Sequence, residues 1–198
     1  MMTPAGSADL DLPDGWLPDG LVTTPALHQK VRFDQIDLDR WDEAAEMELD
    51  GRFRTGQAAA RLMLAGKGGS IVNLVHADGL PGSVDAGSAA TMSYASAGLS
   101  WGIALDLKEK VRSNIIALNP EPLALAATAE LILFLCGPEG RAISGQVAAI
   151  TPDRLQLFAQ PRPLRVAHSD MSWDEASLSR QASRWSAFLP RLDMENGQ

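Results

Sequence analysis

Two rhythms of apolar residues alternate along this chain, one that suits strands and one near the helical repeat. Ser70 to Val75 is a short β-branched apolar run, with Gly68 and Gly69 before it and Ala77-Asp-Gly-Leu-Pro-Gly82 after it. A parallel strand buried on both faces has this pattern. Arg112 to Leu118 and Ile143 to Ile150 repeat it, and Leu21-Val-Thr-Thr-Pro-Ala-Leu27 is a weaker β-prone run interrupted by proline. Between the runs the period changes. Trp41, Ala44, Ala45, Leu49 and Phe53 recur at three- and four-residue steps, and Ala58 to Ala60, Leu62 and Met63 continue the same face until Gly66-Lys-Gly-Gly69 stops it. That predicts a long amphipathic helix, N-capped by Asp37 or Asp39. Further helices are expected over residues 91–109 and 123–136. Strands alternating with helices put the chain in the α/β class, with a parallel sheet and flanking helices.

The ends differ from the middle. Residues 1–20 are rich in Pro, Gly and Asp and read as a succession of turns. Residues 21–150 carry the alternating pattern. The segment 151–198 is a C-terminal extension, in which an alternating strand begins at Leu155 and an N-capped helix runs from about Ser172 to Leu189, before Pro190.

Composition narrows the function classes. With 25 acidic against 17 basic residues the net charge is -8, so a phosphate-backbone partner is not expected, because nucleic-acid binding needs a positive footprint. The longest apolar segment, Leu123 to Cys136, contains Thr128 and Glu130 and is too short for a bilayer span. No membrane role is expected. Cys136 is the single cysteine, which excludes an intrachain disulfide and points to a reducing, cytoplasmic location and a buried, inert thiol.

Several segments together resemble the second half of a short-chain dehydrogenase/reductase. They are Arg52-Phe-Arg-Thr-Gly-Gln-Ala-Ala-Ala-Arg-Leu-Met63, the strand ending in Asn73-Leu-Val-His76, then Ala97-Gly-Leu99, Val111-Arg-Ser-Asn-Ile-Ile-Ala117, and Ile143-Ser-Gly-Gln-Val147. The resemblance implies a partial Rossmann-like sheet made of the family's strands 4-5-6-7, over residues 21–150. The family binds NAD or NADP through a glycine-rich turn and an acidic residue in its first three βα units. These units have no counterpart in the resemblance. Gly66-Lys-Gly-Gly69 precedes a strand instead of opening a helix, so it is not expected to touch phosphate. No cofactor is expected to bind this chain alone.

The family's chemistry uses a tyrosine as proton donor, a lysine that lowers its pKa, a serine on the carbonyl and an asparagine holding a relay water. An unperturbed tyrosine, near pKa 10, is a poor base at neutral pH without that ammonium. Aligning Ala97-Gly-Leu99 puts Met92 at the tyrosine and Ser96 at the lysine; in the shifted register Tyr94 is the tyrosine but Gly98 takes the lysine's place. The serine becomes His76 and the asparagine Glu48. The resemblance therefore implies a non-catalytic subunit of an oxidoreductase family. Two rival readings stand beside it. His76, at a strand's C-terminal end near Asp78, could pair with Glu48 as acid and base, or the cleft could keep an acyl-CoA ligand without turning it over. The three histidines, His28, His76 and His168, show no ligand spacing for a metal, so none is expected.

The extension is similar to those of family members that act on hydroxyacyl-CoA thioesters. Arg162, Arg165 and His168 could meet a phosphate-bearing ligand or dock on an acidic partner. In the family the two helices here placed at 40–64 and 91–109 build a four-helix bundle between subunits. A full-length dehydrogenase of the same family is thus the expected partner, in a homo- or hetero-oligomer. Removing three strands leaves the fourth as an edge, which either the N-terminal turns or another chain must cover.

Overall fold

The computed structural model describes residues 15, 17–108, 110–169 and 172–186. Five strands form one sheet in sequence order: β1 (Gly20–Thr23), β2 (Gly69–His76), β3 (Val111–Leu118), β4 (Val147–Thr151) and β5 (Arg154–Leu157). The first four are parallel, and β5 returns antiparallel on β4 through a tight turn. The α/β class and its parallel sheet are as the apolar pattern predicts. Strand β1 is shorter than the run Leu21–Leu27, because Pro25 offers no donor to a ladder. It pairs with β2 over four residues and is an edge of the sheet. The expected turns of residues 1–20 lie mostly outside the described residues, so what covers that edge does too.

Helix α1 (Leu38–Ala45) starts where Asp37 accepts a bond from the Arg40 N–H at 3.0 Å, which satisfies one of the free donors of a first turn. A π turn over Glu46–Asp50 joins it to α2 (Gly51–Ala65). The long helix therefore forms, and its inward face is the expected one in part, at Ala44, Ala59, Ala60 and Met63. Ala44, Glu48, Arg52, Gly56, Ala59, Ala60 and Met63 are buried, whereas Phe53 is 52% exposed. A widened turn of this kind adds a residue to the helical repeat and re-aims the side chains beyond it. It puts Glu48 and Arg52 on the buried stripe, and a buried ion pair is the outcome.

Helix α3 (Gly87–Asp106) begins one turn before the expected Thr91, and α4 (Pro122–Cys136) opens on Pro122, whose fixed φ and missing N–H suit a first turn. Ala59, Ala60 and Met63 of α2 pack with Ile71 and Val111, while Val75, Ala97, Ile115 and Ala117 form a second cluster with Leu80 and Val147. On the other side of the sheet, Val72, Leu74 and Ile116 meet Leu135 of α4. Strand β2 is thus covered on both faces, which is why it reads as a mainly apolar run, broken only by Asn73 between Ile71 and Val75. The Ser100 and Ser113 hydroxyls bond each other at 2.8 Å inside this core. Cys136 is half-buried, and burial pushes its thiol pKa up against the opposing pull of Ser70 and Arg112. It is a poor nucleophile.

Residues from Gln160 onward form a separate compact unit. Its helix α5 (Glu175–Trp185) is capped by Asp174, whose carboxylate accepts from the Ser177 N–H at 2.7 Å while the Ser177 hydroxyl accepts from the Asp174 N–H at 2.9 Å. This cap lies two residues beyond the expected Ser172, and the predicted end at Leu189 lies outside the described residues. Ser177, through its hydroxyl and then its backbone N–H, holds the Asp174 carboxyl below its ordinary pKa. A carboxylate lowered on folding stabilises above its unfolded pKa, about 4, and loses that contribution as pH falls through the lower folded value. The helical signal of the chain should therefore lose a small component in far-ultraviolet circular dichroism below about pH 4. Asp174→Asn, which caps without titrating, should flatten that component; an unchanged acid profile would show that the cap is not its source.

Candidate functional site

The C-terminal ends of parallel strands are where an α/β sheet places its functional groups. Here the ends of β1 and β2 bring three titratable side chains together. His28 comes after β1, Glu48 lies in the π turn before α2, and His76 ends β2. One ligand-type atom from each lies within 4.8 Å of the others. The His28 Nε2 is in short contact with Glu48 Oε1, and its Nδ1 is 3.0 Å from the Ser88 hydroxyl in the first turn of α3. The His76 ring meets the His28 ring edge-on, with centroids 4.8 Å apart, and its Nε2 donates to the Ala26 carbonyl at 2.5 Å.

Behind the histidines sits the buried ion pair. Arg52 donates to Glu48 Oε2 at 3.2 Å, to the Leu74 carbonyl at 2.7 Å and to the Ser96 hydroxyl at 2.6 Å. Both side chains of the pair are 2% exposed. Burial draws the Arg52 pKa down, and the Glu48 charge opposes that shift. Ser96 in turn donates to the Met92 carbonyl at 2.8 Å, so its hydroxyl both gives and receives a bond. The site is a closed polar network, anchored at the back to α3 and β2.

It opens at the front into a cavity of about 400 Å³. His28 and Ser88 line it together with Trp41, Met47 and Ile36, and Arg40, Asp37 and Glu43 supply its charged groups. A second cavity of about 380 Å³, between α4 and the β4–β5 hairpin, is lined by Leu131, Phe134, Leu155 and similar residues and has no titratable group. Of the two cavities, only the first carries groups able to do chemistry.

The sequence-based site residues distribute unevenly over this geometry. Glu48, His76, Met92 and Ser96 do converge, all buried or half-buried. The expected His76–Glu48 pair does not form directly. Glu48 is bonded to His28 and Arg52, and His76 touches it only across the His28 ring. Asp78, expected beside His76, instead pairs with Lys30 at 2.7 Å on the surface. Tyr94 is 55% exposed and donates to the Leu80 carbonyl at 2.8 Å, away from the network. In the separate unit after residue 160, Arg162 donates to Gln160 Oε1, Arg165 to the Leu164 carbonyl, and all three of Arg162, Arg165 and His168 are exposed.

His28, Arg52 and Ser88 were not among the expected site residues. Two of them lie far along the chain from their partners: 20 residues separate His28 from Glu48 and 60 separate it from Ser88. Only Glu48 and Arg52, four apart on a helix, left a readable signal, an ion-pair spacing that ordinarily faces solvent.

No family model matches the chain. An uncharacterized oxidoreductase, YohF of Escherichia coli strain K12, is 31% identical over 101 residues, which is 50% of this chain and 40% of that protein. A short-chain dehydrogenase from Mycobacterium avium superposes with a TM-score of 0.76 at 20% identity, covering 87% of this chain and 64% of its own. The acetoin dehydrogenase YohF of Salmonella typhimurium does so with a TM-score of 0.61 at 25% identity, covering 68% of this chain and 63% of its own. The chain shares the fold of these short-chain dehydrogenases and is similar in sequence, over half its length, to an oxidoreductase. It spans less than half of the curated relative and under two thirds of these solved structures.

A nicotinamide dinucleotide, which the resemblance implies, does not fit the described residues. Ser96 stands at the lysine that would hold the nicotinamide ribose, and both of its hydrogen bonds are spent inside the network. The amides of Gly66, Gly68 and Gly69 donate to Leu62, Met63 and Lys110 carbonyls, so none of these glycines has its N–H left for a phosphate. Among the described residues no Gly-x-x-x-Gly-x-Gly turn joins a strand to a helix. Nor does any helix among them have the length and apolarity to cross a membrane.

Proposed function

We propose that this chain is a short-chain dehydrogenase/reductase-like subunit that performs no hydride transfer itself and assembles with an active, full-length member of the superfamily. One observation carries the reading. The positions of the family's tyrosine and lysine hold Met92 and Ser96, both about 1% exposed, and the charge that reaches Ser96 is the guanidinium of Arg52, bound to Glu48. No group there can donate and recover a proton on a substrate carbonyl as a tyrosine–lysine pair does. Without a fitting cofactor site, the chain binds neither NAD nor NADP alone.

Unpartnered apolar surface supports the partner. Tyr94 and Leu105 of α3, Phe53 and Met47 on the α1–α2 helix, and Leu123 and Leu133 of α4 are each at least half exposed. Such groups on α1–α3 on one face of the sheet, and on α4 on the other, favour burial against another subunit. The partner's substrate class is proposed as a hydroxyacyl or oxoacyl thioester, on the likeness of the C-terminal extension alone. Acetoin, which the Salmonella relative's name specifies, is the small-molecule counter-candidate to include in assays.

The test is native mass spectrometry of the tagged chain purified from its own cells. A mixed complex with a full-length dehydrogenase is the expected species; a stable monomer or a homo-oligomer that oxidises either substrate class would overturn the reading. Glycines of α3 give a second check. A Cβ at Gly98 or Gly102 meets nothing within 4 Å, so alanine there should stabilise the isolated chain by about 0.5–1 kcal/mol each. The same methyl groups would stand in the way of a helix packed on that face. The Gly98→Ala/Gly102→Ala chain is therefore expected to melt higher alone and to be recovered with less partner. Unchanged recovery would place the subunit contact elsewhere.

A further inference from the structure

We propose that His28, Glu48 and His76 form a binding site for one divalent transition metal ion of the zinc class, with a fourth coordination position left to a non-protein ligand. Two imidazoles and a carboxylate are a donor set that suits zinc, iron or nickel over magnesium or calcium. Their atoms already lie within 4.8 Å of one another; an ion about 2.0–2.2 Å from each would enter by parting the His28 Nε2–Glu48 Oε1 contact and drawing the wider-spaced atoms in.

What raises the cluster above coincidence is its surroundings. Each of the three side chains has one polar atom held from behind and one left for the centre. His28 is held at Nδ1 by the Ser88 hydroxyl at 3.0 Å, which leaves Nε2. His76 is held at Nε2 by the Ala26 carbonyl at 2.5 Å, which leaves Nδ1. Glu48 is held at Oε2 by Arg52 at 3.2 Å, which leaves Oε1. Metal sites are built in this way, with outer hydrogen bonds fixing the tautomer and orientation of each ligand.

Ligation needs the lone pair of His28 Nε2, which in the metal-free chain points its proton at Glu48. The ring proton then sits on Nδ1, and Ser88 changes from donor to acceptor, a change that a hydroxyl makes by rotation. No other group has to move its proton. The Arg52 charge beside Glu48 opposes a second positive charge, so this site should hold metal less tightly than the same ligands without it. Three protein ligands leave a fourth position. The cavity of about 400 Å³ reaches the site at His28, on the Nδ1 side that Ser88 lines, so the fourth position is assigned to a water or small oxygen ligand that enters past the His28 ring.

The inference does not depend on the subunit reading, because the metal alone is the probe. The tag-free chain, stripped by a chelator, is titrated with zinc chloride by calorimetry, and with cobalt(II) by visible absorption. One ion per chain is expected, with cobalt bands of a four- or five-coordinate site. His28→Ala and His76→Ala should each weaken zinc at least tenfold, and Ser88→Ala about tenfold, while His168→Ala in the separate C-terminal unit should leave it unchanged. Absence of stoichiometric binding, or binding that survives both ligand variants, would overturn the proposal. If a variant does not fold, zinc X-ray absorption on the unaltered chain decides: two imidazoles and a carboxylate uphold the site, any other ligand set removes it.

Discussion

Replacing Arg52 with methionine will lower the unfolding free energy by about 3–5 kcal/mol. Methionine nearly preserves the length of the side chain, so the loss will come from electrostatics and not from a cavity. Arg52 satisfies three acceptors at once, the Glu48 carboxylate, the Leu74 carbonyl and the Ser96 hydroxyl. Removing it strands a carboxylate that is 2% exposed, and an uncompensated buried charge costs far more than a surface pair ever contributes. The double variant Arg52→Met/Glu48→Leu should recover most of the loss, because replacing both members of a buried pair by apolar groups is close to neutral. Urea denaturation of the three chains tests this. A loss below about 1 kcal/mol for Arg52→Met, or a double variant no better than the single one, would mean that the ion pair does not support the fold.

The same pair marks the boundary of what the sequence reveals. Strands β2 and β3 were legible because burial on both faces leaves mainly apolar stretches, residues 71–75 around Asn73 and residues 115–118 after Asn114. The long helix was legible as a helix, and its inward face in part, at Ala44, Ala59, Ala60 and Met63. Period also assigns Phe53 to the core, where Glu48 and Arg52 stand instead. The π turn over Glu46–Asp50 changes the phase, and no residue type announces it. Once inside, Glu48 and Arg52 need partners, and these come from His28, Leu74 and Ser96 through contacts that only the crossover topology creates. His28 could not have been chosen from the sequence, since it carries no motif and its partners are 20 to 60 residues away. His76 could, because family likeness and a strand's C-terminal end both point to it. The edge position of β1 followed from the family resemblance, in which removing the first three strands leaves the fourth at the edge, where it stands among the described residues.

Gly68→Ala will cost about 4 kcal/mol or more, a penalty confined to the few mechanisms that force backbone and packing to change together. Gly68 has φ +91°, in the region that favours glycine, and a Cβ there would overlap the Lys110 carbonyl oxygen. Strain of the backbone alone accounts for about 1–3 kcal/mol. The rest comes from the neighbouring bonds. The Gly69 N–H donates to that same Lys110 carbonyl at 2.9 Å, and the Ser70 N–H donates to the Asp19 carbonyl at 2.9 Å. These bonds start the pairing of β2 with β3 and β1, whose register then runs without interruption to His76 and Leu118. Relief of the overlap must pull Lys110 away and loosen the register that delivers His76 to the site. Gly82→Ala is the matched control. Gly82 has φ +79° but nothing within 4 Å of a Cβ, so it should lose only the backbone share, about 1–3 kcal/mol. Equal losses at the two glycines in urea titrations would assign the whole effect to φ and remove the packing argument. A larger loss at Gly68, with weakened zinc binding wherever the variant still folds, would tie the start of β2 to the geometry at its end.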